Sequence, residues 1–334
     1  MTTPSGKNVR YSIVIPVFNE EAVLPILLKR MDELLGRLDG PAEAIFVDDG
    51  SSDCSSIFLK AKAKDDPRYR YIGLSRNFGH QVAITAGMDA AAGDAVIVMD
   101  ADLQDPPEVV NEMIARWKDG CEIVYGRRLS RQGDSAFKQW TANLFYKLLG
   151  RISSVEIPAN VGDFRLIDRK ALDAFRAMPE QDRFVRGMFA WLGFRQGEVA
   201  FHRLPRAAGQ TKYPLWKMMR LAVNGAIGFS DAPLRLAIWA GAAVSSMAVL
   251  YGFYVIALAL AHSELVAGWT STVVIVSFLS GMNMLLTGIV GLYVGRIHAE
   301  VKRRPLYIVA TKVGFDRTPA SNAGADVGGR LAAG

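Results

Sequence analysis

The chain has 334 residues, half of them hydrophobic, with two cysteines and a formal net charge of +6. That length fits one large domain or two modest ones. The charge does not point to nucleic acid, because no recognised motif or dense basic stripe accompanies it. Cys54 and Cys121 are too few and too far apart for a disulfide framework and read as free thiols.

From the N-terminus, Lys7 and Arg10 precede only a short apolar run, Tyr11 to Phe18, which Pro16 interrupts. This is no signal peptide and reads as a strand. Four segments then repeat one pattern, a short β-rich run ending in polar residues and followed by a helical stretch. Tyr11–Val17 leads into an amphipathic run with Val23, Leu27, Met31, Leu34 and Leu38 on one face. Glu43–Val47 leads into Asp48-Asp49-Gly50-Ser51, Arg70–Leu74 precedes a run from Gly79 to Ala92, and Ala95–Met99 leads into Asp100-Ala101-Asp102. Such alternation predicts an α/β fold, a mostly parallel sheet with helices on both faces. Ligands of such sheets sit beyond the carboxyl ends of the strands, where all these polar clusters fall.

Asp105-Pro106-Pro107-Glu108 should open the next helix, with Asp105 as cap, Pro106 at the first helical position and Glu108 at capping-box spacing. Val109, Val110, Met113, Ile114 and Trp117 would form its buried face, and a strand over Glu122–Tyr125 should follow. Beyond it the pattern is less regular. Between Leu215 and Phe229, Lys217, Arg220 and Asn224 share one narrow helical face, with Trp216, Met218, Met219, Val223 and Ile227 around the rest. That distribution suits a helix lying in a membrane interface.

Two later stretches, Leu236 to Ala261 and Leu265 to Gly295, contain no charged residue, and each exceeds the roughly 20 residues that cross a bilayer core. Lys217, Arg220 and Arg235 precede the first, Arg296, Lys302, Arg303 and Arg304 follow the second, and the connection at His262-Ser263-Glu264 has no Lys or Arg. The positive-inside rule then puts both termini in the cytoplasm. The expected organisation is a catalytic domain over 1–212, an interfacial region over 213–233, two transmembrane helices (236–261 and 268–295) within 234–296, and a cytoplasmic segment over 297–334. Its Gly- and Ala-rich end, from Pro319, is expected to be disordered.

Asp100-Ala101-Asp102-Leu103-Gln104 is the sharpest chemical signal. Two carboxylates and an amide at a strand end offer hard oxygen ligands, which suit Mg²⁺ or Mn²⁺ sharing its shell with substrate phosphates. An isolated Asp-x-Asp is commonly a solvated turn. The neighbouring clusters Pro16–Glu20 and Asp48–Ser51 strengthen the signal, since acidic residues at strand ends can bind ribose or base. Neither a G-x-G-x-x-G nor a Walker A loop occurs, so a diphosphate would need metal and basic side chains. The histidines, His80, His202, His262 and His298, show no ligand spacing.

Pro16–Glu20, Asp48–Ser51, Arg76-Asn77-Phe78-Gly79 and Asp100–Pro107 together resemble the family-2 glycosyltransferases of the GT-A (Rossmann-like) fold. Asn160–Leu166, Arg206 with Gly209, Lys212-Tyr213, the two spans and Arg303-Arg304-Pro305-x-Tyr307 resemble the bactoprenol glucosyltransferases, relatives of dolichyl-phosphate mannose synthase. The resemblance runs from about Tyr11 to Ile308. It implies a nucleotide site at Pro16, Phe18, Glu20, Val47, Asp49, Asp100 and Ala101. It also implies metal ligation by Asp100, Asp102 and Gln104, and phosphate or acceptor contacts by Arg127, Arg206 and Lys212. Asp102 and Asp163 would be catalytic, Asp163 either as a base or as a group orienting Arg165. The implied partners are a nucleotide-sugar, a polyisoprenyl phosphate and the bilayer of a bacterial plasma membrane, with a homo-oligomer, a tetramer in related enzymes. The implied reaction is inverting hexose transfer. The alternatives weighed against it are a processive polysaccharide synthase, which would need more than two spans and a Gln-x-x-Arg-Trp motif absent here, and a non-catalytic membrane scaffold or flippase subunit.

Overall fold

The computed structural model describes residues 9–129, 161–181, 183–202, 232–261 and 268–315. The first part alternates as expected: β1 (Tyr11–Val17), α1 (Leu24–Arg37), β2 (Ala42–Asp48), α2 (Ser55–Asp65), β3 (Tyr69–Leu74), α3 (His80–Ala90), β4 (Ala95–Val98) and α4 (Val109–Lys118). Then follow β5 (Ile123–Arg128), β6 (Val161–Asp168), α5 (Arg169–Arg176), α6 (Val185–Trp191), β7 (Gln196–Phe201), α7 (Ala232–Ala261), α8 (Trp269–Lys302) and β8 (Val309–Val313).

The eight strands of the described residues form one sheet in the order β7-β5-β6-β4-β1-β2-β3-β8. The central block β4-β1-β2-β3 is parallel, whereas β6 runs antiparallel to both β4 and β5, and β8 runs antiparallel to β3. Along β1 the side chains alternate between faces. Tyr11, Ile13, Ile15 and Val17 pack with Leu27 and Met31 of α1, Leu59 of α2 and Met113 of α4. Val14 packs on the other face with Ile84 of α3, Leu172 of α5 and Phe189 of α6. Helices therefore cover both faces.

Two local expectations change. The helix after Asp105 starts at Val109, with Glu108 at its N-cap and no side-chain cap bond. The two prolines form a turn ahead of it, in which Val109 and Val110 donate to the carbonyls of Pro106 and Pro107. Asp105 itself is fully buried, 3.6 Å from Arg128. The second change is β8, an edge strand that the sequence reading did not anticipate.

Helices α7 and α8 are long and apolar enough to cross a membrane. They pack against each other and leave large apolar side chains in the open, Trp239 at 73%, Phe253 at 65% and Met284 at 77% exposure. Apolar surface this extensive marks an interaction site rather than an ordinary soluble face. The expected interfacial helix over 213–233 and the 212/213 boundary lie almost wholly outside the described residues.

Helix and sheet pack tightly at Gly87 of α3: a Cβ there would clash with Val14 Cγ1 and lie 3.0 Å from Val47 Cγ2. Alanine in a helix gains about 1 kcal/mol over glycine in propensity, but both neighbours are β-branched side chains with few alternative rotamers. Overpacking should win, so Gly87→Ala should destabilise the domain by about 1 to 3 kcal/mol in denaturant unfolding.

Candidate active site

At the carboxyl edge, the loops after β1 and β2 are locked together. Asn19, in a left-handed conformation (φ 55°), donates its N–H to Ser51 Oγ at 2.9 Å and accepts from Ser52 N–H at 2.8 Å. Glu20 N–H donates to Ser55 Oγ at 3.1 Å. Asp48 accepts from the Tyr71 hydroxyl and from Ser51 N–H, both at 2.8 Å. Asp49 accepts from Phe78 N–H at 2.7 Å and Gly79 N–H at 2.9 Å, which fastens the 76–79 loop and the start of α3 to the end of β2. Gly50 makes that fit possible: its φ is 73°, and a Cβ would lie 2.7 Å from the Arg76 carbonyl carbon.

These contacts sort the residues expected to bind a nucleotide. Pro16 and Ala101 are buried, and Val47 is fully buried in the sheet core under α3. Asp49 is also buried; burial pushes its carboxyl pKa up while the two backbone N–H groups hold it back. Phe18, 42% exposed, and the partly exposed Glu20 stand at the mouth with side chains accessible.

The centre of the edge is made by β4 and β6. Because β6 is antiparallel, its first residues lie where its parallel neighbours end. Val98 pairs with Arg165 at the end of the ladder, so Asp100, just past β4, and Asp163, early in β6, emerge at the same edge. His80, the first residue of α3, bridges them, with Nε2 3.4 Å from Asp100 Oδ1 and 3.3 Å from Asp163 Oδ2. Desolvation in the cleft works against a charged imidazole, but the hydrogen bond to Asp163 and the charge of Asp100 prevail, and the His80 pKa is raised to about 9.

Asp163 is almost fully buried and gathers several donors. Arg186 Nε and Nη2 reach it at 2.9 and 3.2 Å, Gln81 Nε2 at 3.1 Å and Arg165 Nη2 at 3.5 Å. Burial alone would raise its pKa; Arg186, the His80 hydrogen bond and Arg165 overcome that and hold it well below the ordinary carboxylate range. A carboxylate held this way is a weak proton acceptor. Between the two roles left open for Asp163, this geometry favours orientation, and it acts on Arg186 and His80 as well as on Arg165. Arg165 is itself fully buried, its guanidinium 5.4 Å from the ring centres of both Tyr125 and Phe189.

Arg127 is not in this group. It pairs with Glu198 of β7 at 3.1 Å, and both side chains are exposed. Successive strand residues face opposite sides, and the adjacent Arg128 turns to the site instead. It lies 3.6 Å from Asp105, borders Gly162 and lowers the cost of charging Asp100. Arg206 and Lys212 lie outside the described residues.

The residues fit a divalent cation as a shared ligand set. Asp100 Oδ1 is buried without a hydrogen bond, its partner being the His80 imidazole at 3.4 Å, so it keeps capacity that a cation could use. Burial, with Asp163 and Asp102 nearby, raises the Asp100 pKa against the pull of His80. Asp102 Oδ1 accepts from Gln104 N–H at 3.1 Å across Leu103, a buried residue at φ 57°. That backbone conformation costs a bulky residue about 1 to 3 kcal/mol and marks a turn fixed by its surroundings. Among the described residues no three His, Cys, Asp or Glu side chains form a closed metal cage. Mg²⁺ and Mn²⁺ sites that borrow substrate phosphate oxygens need no such cage.

His80, Gln81, Arg128 and Arg186 are thus site residues that sequence reasoning missed. The only local signal was the Arg76–Gly79 motif immediately before His80. Asp163→Asn would leave Arg165 buried without its counter-charge and should cost about 3 to 5 kcal/mol in denaturant unfolding. Arg127→Ala, which removes an exposed pair, should stay within about 0.5 kcal/mol in the same measurement.

The family model for glycosyl transferase family 2 matches residues 12–176. The uncharacterized glycosyltransferase YkcC of Bacillus subtilis (strain 168) is 46% identical over 311 residues, 93% of this chain and 96% of that protein. The prophage bactoprenol glucosyl transferase homolog of Escherichia coli (strain K12) is 39% identical over 300 residues, 90% of this chain and 98% of its own length. A looser likeness, TM-score 0.46 at 20% identity over 66% of this chain and 79% of the other, links it to a crystal structure of glucosyl-3-phosphoglycerate synthase from Mycobacterium tuberculosis. With near full-length relatives at this identity and an α/β sheet whose carboxyl edge gathers Asp100, Asp102 and Asp163, the chain belongs to glycosyl transferase family 2 and is a glycosyltransferase.

Proposed function

We propose that the enzyme transfers a hexose, glucose, from a UDP-sugar to undecaprenyl phosphate or a similar polyisoprenyl phosphate at the cytoplasmic face of a bacterial membrane. One observation carries this reading. Acidic Asp100 and Asp163 share His80 at one strand edge, with Arg186 on Asp163 and Arg128 on the neighbouring Asp105, in a chain that also presents two exposed apolar helices. An acidic side for a metal-bound diphosphate and a basic side for an incoming phosphate are what two anionic substrates need. The relatives named bactoprenol glucosyl transferase support the choice of sugar and lipid.

In this reaction a phosphate oxygen attacks the anomeric carbon, a new C–O bond forms, and the bond to the nucleoside diphosphate breaks with its electron pair leaving on the diphosphate. Direct attack inverts the anomeric configuration. A phosphate monoester has its second pKa near about 6, so the nucleophile is largely dianionic at neutral pH and no strong base is required. Asp100, Asp102 and Gln104 would hold Mg²⁺ or Mn²⁺, which when bound neutralises charge on the leaving diphosphate. Phe18 and Glu20 line the nucleotide side, and Arg128 receives the phosphate side. Asp163 keeps Arg186 and His80 in place.

Two experiments test the reading. Membranes containing the enzyme, undecaprenyl phosphate and a panel of labelled nucleotide-sugars should yield a lipid-linked hexose with UDP-glucose, and chelation should abolish it. Asp102→Asn and Arg128→Ala should each lower turnover about 100-fold or more, as loss of one stabilising charge in a dry site does, while Arg127→Ala stays within about threefold. Full activity in Asp102→Asn would refute the site. Topology gives an independent check. Lys312 of β8 is paired into the catalytic sheet opposite Ile72, so it must lie on the same side of the membrane as the active site. A label at Lys312 should report the cytoplasm, and one at Ser263, outside the described residues, the opposite side. Protection of Lys312 from cytoplasmic reagents would place the site away from nucleotide-sugars.

A further inference from the structure

The last two turns of α8, from Arg296 to Lys302, carry the helix's charges and extend past the apolar stretch that ends at Gly295. This foot does not hang free. Glu300 Oε1 accepts the backbone N–H of Gln181 at 2.8 Å, in the segment that leads into α6. The helix then ends at Arg303 in a left-handed turn (φ 46°), with its N–H on the Glu300 carbonyl. Four residues on, the Tyr307 hydroxyl donates to Asp89 Oδ2 at 2.8 Å, near the C-terminal end of α3. Ser75 N–H donates to the Ile308 carbonyl at 2.9 Å, and β8 continues as the edge strand on β3.

Helices α3 and α6 are the two elements that grip Asp163, α3 through His80 and Gln81 and α6 through Arg186. Each is fastened to the foot of the second span, α3 by Tyr307 at its far end and α6 by Glu300 just ahead of its start. Arg176 braces the same end of α3 through the carbonyls of Asp89 and Ala91, at 3.0 and 3.2 Å. Both helices that hold Asp163 are thus hydrogen-bonded, directly or through the segment just ahead, to the chain at and after the foot of α8.

We propose that Glu300 and Tyr307 are positioning residues that set the height and tilt of the active site over the bilayer, so that a lipid-borne phosphate arrives at the Arg186–Asp163–His80 group. Neither side chain touches a substrate. Their effect depends on the acceptor being anchored in the membrane, and this inference rests on the lipid-phosphate reading above. Reacting groups displaced by about 1 Å can lose about 100-fold in rate, and releasing the foot costs only a lipid-bound acceptor that alignment.

The test compares two acceptors with the full-length enzyme in liposomes, long-chain undecaprenyl phosphate in the bilayer and a short water-soluble isoprenyl phosphate. The variants are Glu300→Ala, Tyr307→Phe, which keeps the ring, and their combination. The double variant should lose at least about tenfold in kcat/KM toward the long-chain acceptor, while the short acceptor and the donor KM stay within about twofold. Glu300→Gln, which keeps an accepting oxygen, should restore most of the single-variant loss. Equal losses with both acceptors would mean that these residues support folding or chemistry, and would overturn the proposal, as would no loss with either. If the unmodified enzyme used neither acceptor, the lipid-phosphate reading itself would fall, an outcome separate from the other two.

Discussion

The site depends on one strand running the wrong way. A purely parallel sheet places only strand ends at its carboxyl edge, and each contributes the first polar residues of its loop. By inserting β6 antiparallel between β4 and β5, the chain brings the beginning of a strand to that edge, and with it Asp163, which shares His80 with Asp100. Two carboxylates this near one another, both desolvated, repel and resist ionisation. The remaining residues of the centre answer that problem. His80 lies between the two, Arg165 is buried beneath Asp163, and Arg186 covers it from α6. Buried charges arranged this way contribute little net stability, but removing any one of them leaves another stranded. The centre is thus fixed by mutual need rather than by strong attraction.

Much of the frame was legible in the sequence because it follows local rules. β1 falls on the expected residues, and β2, β3 and β4 lie within a residue or so of theirs, since parallel strands buried on both faces read as short, largely apolar runs. The Asp-x-Asp cluster was placed correctly at a strand end for the same reason. What escaped was information carried by register and face. Arg127 and Arg128 are equivalent by composition; a register shift between Tyr125 and Arg127, with the alternation of the strand, decides which one meets Asp105. Val47 belongs to a motif at a ligand-binding edge, yet its side chain points into the core. His80 lacks any ligand spacing because its partners lie 20 and 83 positions away, joined to it only by the fold. β8 escaped because an edge strand of five residues pairs through backbone and needs no hydrophobic pattern of its own.

The apolar C-terminal helices obey a different rule. Absence of charge over more than about 20 residues makes a helix long and apolar enough to cross a bilayer without any reference to neighbours, so α7 and α8 were visible from composition. The attachment of those helices to the catalytic half was not. It consists of single polar contacts, Glu300 to Gln181 and Tyr307 to Asp89, together with one edge strand. Each is weak alone; jointly they close a ring from α8 through β8 and the sheet to α3 and α6. A ring fixes orientation better than an equal number of contacts along one line, because no single rotation relieves them all.

Charge disposition also separates two kinds of catalyst that could occupy this fold. An enzyme that must deprotonate a sugar hydroxyl needs a carboxylate or imidazole near its working pKa, with room to accept a proton. Here Asp163 is committed to guanidinium groups and held low, and His80 is held as a cation by its two carboxylates. Neither is arranged to take a proton. Such a centre is suited to a nucleophile that arrives already ionised, for which the work is to place one anion against another and to screen the repulsion between them with fixed charges. A phosphate fits that description, and under the proposed function a lipid would carry it to the site.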